Sequence, residues 1–448
     1  MNLNDTIVAC ATPAGYSGIA VIRLSGVRAF ELVKEIFKPV VVVNDFQPNH
    51  AYYGKILKPN SEDIIDSIIV TFFLAPHSYT GEDVVELSCH GNPLIVEQII
   101  NVLIGLGARF AQRGEFTRRA LLNGKIDLLQ AEAVLDTVYA PCEEARKLAI
   151  AQHEGNLSNK IYELKSKIID LLTVVEVNID FSEEEDVSHD DKQLTKNIEN
   201  IITEIDELLK GAETGIKIKD GHRVLIIGRT NVGKSTLFNK LIGYDRAIIH
   251  EQPGTTRDYI EEGVEIAGLY VRFLDTAGFF HQAHGPDKIA QERSVSLINS
   301  ADLIILIFDG SEPLNEEDVY LFNLTKEKNK LLVVNKIDLN ICLDDEKILT
   351  DSIKLSAKTG HNFELLKDSI RKSVLPQFNF QNIILTRQRH IQALKIIENF
   401  LRNAKKAQNL ETIAFELHSA LDTIGELTGQ VMRQEILNKI FDEFCIGK

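Results

Sequence analysis

Gly228-Arg229-Thr230-Asn231-Val232-Gly233-Lys234-Ser235 is the stretch from which the rest of this chain can be read. The apolar run Val224–Ile227 precedes it, and the helix-compatible Thr236-Leu237-Phe238 follows. The spacing is GxxxxGK followed by Ser or Thr, in a strand–loop–helix context. Glycines let backbone N–H groups curl around phosphates, and the helix N-terminus adds partial positive charge. Lys234 reaches terminal phosphates and the Ser235 hydroxyl suits Mg²⁺. Asn231, Val232, Gly233 and Thr236 complete the cradle.

Three further stretches arrive in order. Asp275-Thr276-Ala277-Gly278 follows the strand pattern Tyr270–Leu274, which places a carboxylate beside the Mg²⁺ hydration shell and a glycine N–H towards a γ-phosphate. Asn335-Lys336-Ile337-Asp338 closes the run Leu331–Val334. An Asp there accepts two hydrogen bonds from guanine N1–H and the exocyclic amine, which adenine does not offer. Ser356-Ala357-Lys358, after Ile353–Leu355, completes a base-binding loop. Together the four imply a guanine-specific GTPase. Between the first two lies Gly254-Thr255-Thr256-Arg257-Asp258, where Thr256 would ligate Mg²⁺ only when a γ-phosphate is present. Phe279 follows Gly278 where Ras-like enzymes carry a water-orienting glutamine, so water must be positioned from elsewhere.

Working outward, strands alternate with helical patterns from 216 to 375, including Leu303–Phe308, which predicts a parallel doubly wound α/β sheet. Both flanks read as helices. Pro141 is followed by no proline until Pro253, and none occurs after Pro376. A proline costs a helix interior about 3 kcal/mol, so proline-free stretches favour helices. Leu157, Ile161, Leu164, Ile168, Leu171, Leu172 and Val175 form one amphipathic stripe, and Ile198, Ile201, Ile202, Ile205, Leu208 and Leu209 a second. After the α/β region come Ile391, Leu394, Ile397, Phe400 and Leu401, then Phe415, Leu417, Leu421, Ile424 and Leu427. The expected architecture is multidomain, α/β and all-α, with an α/β domain inserted into a helical one. An α+β region comes first, with strands at Ile19–Leu24, Ile64–Phe73 and Val84–Ser88. The boundaries are 1–120, 121–215, 216–375 and 376–448.

The 448 residues carry 49 Lys and Arg against 65 Asp and Glu, a net charge of −16. That balance opposes generic charge-driven nucleic-acid binding, so an RNA partner needs a local basic patch. Apolar runs are strand-sized and too short to span a bilayer. Scattered cysteines (Cys10, Cys89, Cys142, Cys342, Cys445) and the lack of a visible signal point to a reducing, cytoplasmic setting.

Outside the GTPase region, Asp5-Thr6-Ile7-Val8-Ala9, Gly18-Ile19-Ala20-Val21-Ile22-Arg23-Leu24-Ser25-Gly26, Ser78-Tyr79-Thr80-Gly81-Glu82-Asp83, Gly114-Glu115-Phe116-Thr117, Leu122-Asn123-Gly124-Lys125-Ile126-Asp127-Leu128 and Cys445-Ile446-Gly447-Lys448 stand out. With the inserted GTPase, they resemble the MnmE/TrmE family of tRNA modification GTPases from end to end. The resemblance implies a homodimer working with an FAD-dependent, MnmG/GidA-like partner, in a heterotetramer or larger assembly. Together they would add a carboxymethylaminomethyl-type group to C5 of the wobble uridine of certain tRNAs. A reduced folate (5-formyl- or 5,10-methylene-tetrahydrofolate) would supply the one-carbon unit at the N-terminal domain, against Arg23, Glu86, Lys125 and Lys448. It also implies one K⁺ per subunit beside the Mg²⁺, held by Asn231 and the loop His250-Glu251-Gln252-Pro253-Gly254-Thr255, with carbonyl oxygens serving at 250 and 252.

The chain departs from the family at Asn92, after His90-Gly91, at Gln112-Arg113 before Gly114, and at the water-orienting position. The family's water-orienting Glu stands nine residues after the glycine of Asp-Thr-Ala-Gly, and here that position is Asp287, preceded by Pro286. Either Asp287 does the same work from a shifted helix, or turnover is slower. Cys445 keeps two readings: a chemical or positioning role near folate, or a small hydrophobe beside Phe441 and Phe444. A rival function is a regulatory or ribosome-assembly GTPase switch without tRNA chemistry, which would have no use for Arg23, Glu86 and Lys125.

Overall fold

The computed structural model describes residues 5–180, 191–244, 262–274, 295–375, 384–431 and 434–448. Internal contacts divide the chain into two compact units. The first comprises Met1–Leu135, Gln152–Asp180 and Asn409–Lys448; the second comprises Asp136–Ala151 and Phe181–Gln408.

The first unit is built on a seven-stranded sheet. Its strands are β1 (Ile7–Cys10), β2 (Ser17–Ser25), β3 (Phe37–Pro39), β4 (Ala51–Leu57), β5 (Ile64–Phe73), β6 (Val84–Gly91) and β7 (Arg109–Phe110), in the order β3-β4-β5-β6-β2-β1-β7. Pairing is antiparallel except between β1 and β7. Strand side chains alternate between faces, so Ile22, Leu24, Val70, Phe72, Val85 and Leu87 all point one way. There they pack on Leu32 and Ile36 of the helix Ala29–Ile36, and on Ile99 and Leu103 of Pro93–Gly105. The same alternation turns Arg23 and Glu86, register partners across β2 and β6, to the opposite face. The unit also pairs the helices Asn156–Asp180 and Leu410–Thr428. The first buries the whole stripe from Leu157 to Val175. On the second, Ile413, Leu417, Ala420, Ile424 and Leu427 are buried, whereas Phe415 is 66% exposed. Phe415 is two residues from Ile413 and Leu417, about 200° round a 3.6-residue helix from each, so it cannot share their face.

The second unit holds a six-stranded sheet, β13-β12-β11-β8-β10-β9. Its strands are β8 (His222–Ile227), β9 (Glu262–Ile266), β10 (Leu269–Phe273), β11 (Leu303–Asp309), β12 (Lys330–Asn335) and β13 (Ile353–Lys354). All neighbours are parallel except β9, which runs antiparallel to β10 at the edge. Every residue of β11 is buried, as expected for a central strand covered on both faces. One face packs Val224, Ile226, Ile305 and Ile307 against Leu237, Leu241, Leu366 and Ile370; the other packs Leu225, Ile304 and Leu306 against Ile298, Leu321 and Ile348. The helices Asp191–Lys210 and Gln388–Lys406 pair within this unit through the isoleucine stripe around 201 and Ile391, Leu394, Ile397 and Leu401. The segment 136–151 lies against the same unit, where Cys142, Ala145 and Leu148 cover Ile218, Leu269, Leu375 and Ile384. The P-loop sheet thus sits between helical segments in sequence, with one antiparallel edge that the all-parallel expectation lacked.

Candidate functional site

The loop after β8 has the backbone that its sequence demands. Asn231 and Gly233 lie at φ +66° and +100°. A Cβ on Gly233 would stand 2.2 Å from Nδ2 of Asn335, so the cradle closes only around glycine. Lys234 begins the helix Lys234–Tyr244 and folds its ammonium back over the loop, donating to the Gly228 carbonyl at 2.8 Å and the Arg229 carbonyl at 2.5 Å. Burial pushes this ammonium down to about 8. An adjacent polyphosphate would reverse that shift, because a nearby opposite charge favours the protonated form. Ser235 and Thr236 are exposed on the first helical turn, where hydroxyls meet an anion or its metal. A glycine-only cradle, a half-buried lysine and two exposed hydroxyls at a helix N-terminus fit a Mg²⁺-bound nucleoside triphosphate. Asn231 is exposed at the same loop.

The base-recognition side is tied to the loop by the side chain of Asn335. Asn335 Nδ2 donates to the Val232 carbonyl at 2.7 Å, and its Oδ1 accepts from the Ala357 N–H at 2.8 Å. Phosphate loop, β12 terminus and Ser356–Lys358 loop therefore meet at one buried amide. Lys336 lies at φ +66° and pairs with Asp309 at 2.5 Å. Asp338 is exposed, and a hydrogen bond from the Ser356 hydroxyl holds its carboxyl below the usual range. It is an ionised acceptor, the state that guanine recognition needs. Lys358 is exposed and its carbonyl accepts from Lys240 at 3.4 Å. His250, Glu251, Gln252, Pro253, Gly254, Thr255, Thr256, Asp275, Thr276, Ala277, Gly278 and Asp287 lie outside the described residues.

A second constellation occupies the open face of the first unit's sheet. The Arg23 guanidinium pairs with Glu86 at 2.7 Å and donates to the Gly447 carbonyl at 3.3 Å. It lies 5.7 Å from the Tyr79 ring centre and 5.8 Å from that of Phe116. Tyr79 is fixed in turn by a 2.9 Å hydrogen bond between its hydroxyl and that of Thr117. The C-terminal tetrapeptide is docked here. Arg113 bridges Ile446, and Gly447, at φ +96°, passes so close to Cys10 that a Cβ would stand 2.3 Å from its carbonyl oxygen. Lys448 is pulled down by burial and by the charge of Arg23, with Cys445 acting the other way. Cys445 is exposed, whereas Phe441 and Phe444 beside it are buried. Lys125 is held apart, donating to the Pro76 carbonyl at 2.9 Å on the loop that also carries Tyr79. Two cations, a carboxylate and an aromatic floor suit a ligand with both carboxylate and N–H groups. The family resemblance singled out Arg23, Glu86 and Lys448, which the structure brings together, but not Tyr79 and Phe116 as their floor. Ring stacking across distant segments leaves no local spacing to read.

Two family models match the chain: that for the GTP-binding protein TrmE N-terminus over residues 6–125, and that for the MnmE helical domain over 128–445. The second alone spans well over half the sequence and encloses the P-loop sheet. The chain belongs to the MnmE family. A curated relative named tRNA modification GTPase MnmE, from Aquifex aeolicus (strain VF5), is 40% identical over 452 residues, covering 100% of both chains. Its namesakes from Alkaliphilus oremlandii (strain OhILAs) and Clostridioides difficile (strain 630) are 38% and 37% identical, each again covering 100% of both chains. The MnmE family match supports the predicted arrangement of an N-terminal α+β region followed by a P-loop α/β sheet set within helical segments. Among the described residues no helix is long and apolar enough to cross a membrane.

Proposed function

We propose that this chain hydrolyses GTP and couples that reaction to modification of the wobble uridine of tRNA. The observation that carries the reading is the presence on one MnmE-family chain of both constellations, a guanine-nucleotide cradle and a cationic, aromatic-floored site. A stand-alone switch requires only the first. Lys234 neutralises terminal phosphates, Ser235 and Thr256 serve Mg²⁺, Asn335 with the Ser356–Lys358 loop shapes the base pocket, and Asp338 selects guanine. Asp275 and Gly278 address the metal and the γ-phosphate. Asn231, with the loop from His250 to Thr255, holds K⁺, which when bound supplies the positive charge that an arginine finger supplies in other GTPases. Asp287 orients water. In the second site Arg23, Lys125 and Lys448 receive the carboxylates of a reduced folate and Glu86 its pterin N–H groups; the folate, when bound, supplies a one-carbon unit. A homodimer acting with an FAD-dependent, MnmG/GidA-like partner would then build a carboxymethylaminomethyl-type group at C5.

Mass spectrometry of tRNA nucleosides from cells lacking this chain tests the whole reading: the modified wobble uridine should disappear and return on complementation. An unchanged nucleoside profile would leave a GTPase switch as the better description. Turnover by the purified chain should be several-fold faster in KCl than in NaCl, and Asn231→Ala should remove the difference.

A further inference from the structure

The turn between β9 and β10 is held from outside the sheet. Ala267 and Gly268 both lie at positive φ, +49° and +83°, the geometry of a two-residue hairpin turn. Arg371, in the last turn of the helix Phe363–Val374, donates through Nη1 to the Ala267 carbonyl at 2.6 Å. The Glu144 N–H donates to the Gly268 carbonyl at 3.2 Å. The Glu144 carboxylate then accepts from Arg371 Nη2 at 3.0 Å, closing a ring of three hydrogen bonds around the turn. Beside it the Glu143 N–H reaches the Glu265 carboxylate at 3.3 Å, and Leu269 packs on Cys142, Ala145 and Leu148. Glu144 is only 6% exposed; its other oxygen has Lys147 at 3.5 Å and, among the described residues, no hydrogen bond. A buried carboxylate is costly to keep, and here it is kept on a turn.

The turn's position in the chain gives the clamp its meaning. β9 follows the Gly254–Asp258 stretch in sequence, and β10 runs on into Asp275–Gly278, the two stretches assigned above to GTP sensing and metal binding. β10 is hydrogen-bonded to β8, the strand that leads into the phosphate loop. β9 is the edge strand and pairs only with β10 among the described residues, so its turn end is held by the burial of Ile266 in the core with Leu366 and Ile370 and by the clamp. Glu144 itself belongs to no strand or helix of the nucleotide fold. It comes from the segment Asp136–Ala151, which is preceded and followed in sequence by residues of the other unit.

We propose that Glu144 is a positioning residue for GTP hydrolysis, acting through Arg371 and the β9–β10 turn. Turnover is thereby set partly by a segment outside the nucleotide-binding fold. The proposal rests on the GTPase reading above. An antiparallel strand pair is stiff along its length, so a shift at the turn reaches the far ends of both strands, and phosphoryl transfer depends mostly on positioning.

The test uses the full-length chain, with GTP turnover in K⁺ and GDP affinity measured side by side. Glu144→Ala should lower kcat by about tenfold while KM and the GDP dissociation constant stay within about twofold, since neither the phosphate loop nor Asp338 is touched. Arg371→Lys, which keeps the charge but loses the fork, should fall between. Glu143→Gln should match wild type, because only the backbone of Glu143 meets the hairpin. An unchanged kcat in Glu144→Ala would overturn the proposal. So would a parallel loss of GDP affinity, which marks general loosening of the domain. A wild-type chain that does not hydrolyse GTP would remove the GTPase reading itself, and this proposal with it.

Discussion

Lys234 and Asp338 divide recognition of the nucleotide between charge and hydrogen-bond pattern, and each carries its own prediction. Lys234 is half-buried, and that burial pushes its ammonium down to about 8 when no anion is beside it. Phosphate favours the ammonium, so the bound value lies higher, and between the two values binding must take up a proton. The sign follows: affinity is full below about pH 8 and falls above it, by at most about tenfold per pH unit. Calorimetry of GTP binding at pH 9 in buffers of different ionisation heat should show that uptake, and at pH 7 should not. Equal proton counts at both values would mean that the ammonium is charged throughout. Asp338 is exposed, ionised and oriented by Ser356. Replacing it by Asn should exchange guanine for xanthine preference, with GTP losing several orders of magnitude to the xanthosine nucleotide. Competition binding with the two nucleotides decides the point.

Among the elements, the helix Glu115–Leu122 is pinned by a buried charge. Arg119 is wholly buried and meets Asp5 at 2.5 Å, Glu82 at 3.0 Å and Glu115 at 3.2 Å. Removing one member of such a group leaves uncompensated buried charge, so Arg119→Leu should destabilise this unit by about 3–5 kcal/mol in urea unfolding. A change below about 1 kcal/mol would show the network to be nearly neutral. Gly233→Ala should abolish nucleotide binding, because the added carbon collides with the buried Asn335 amide and φ +100° strains an L residue; competition binding checks it. Neither Arg119 nor Asn335 was legible in these roles. Strands such as Ile64–Phe73 and the isoleucine stripe around 201 could be read, because periodicity and burial coincide there. β1, β3, β7 and β9 escaped because short or edge strands take their identity from the neighbour they pair with; β4, an inner strand, escaped because only Gly54 and Ile56 of it are buried, which leaves little alternation to read. The P-loop was legible because local backbone geometry dictates its residues. The Asn335 bridge and the aromatic floor under Arg23 were not, since they form only when distant segments meet.

At the level of the molecule, acid is the weak flank. His222 is 1% exposed, neither ring nitrogen has a hydrogen-bond partner among the described residues, and burial lowers it from 6.5 to about 4. The unfolded chain therefore binds a proton that the folded chain refuses. Stability is complete above 6.5 and is lost as pH falls towards 4, about 2 kcal/mol of it between pH 7.5 and 5. Asp5 and Glu115 add to the same trend. Burial alone would raise both, yet hydrogen bonds from Arg109 override it and hold them below the ordinary range, with Arg119 reinforcing the effect. Urea unfolding at pH 7.5 and 5 should show His222→Leu losing less stability than wild type on acidification; equal losses would clear His222 of the effect. The strip from 136 to 151 has a practical consequence as well. A nucleotide-binding fragment cut at 216 and 375 would leave behind the cysteine, alanine and leucine that cover Ile218 and Leu269. Such a fragment should be sticky, binding hydrophobic dyes and precipitating at concentrations the whole chain tolerates. A synthetic peptide of residues 136–151, supplied in trans, should restore its solubility.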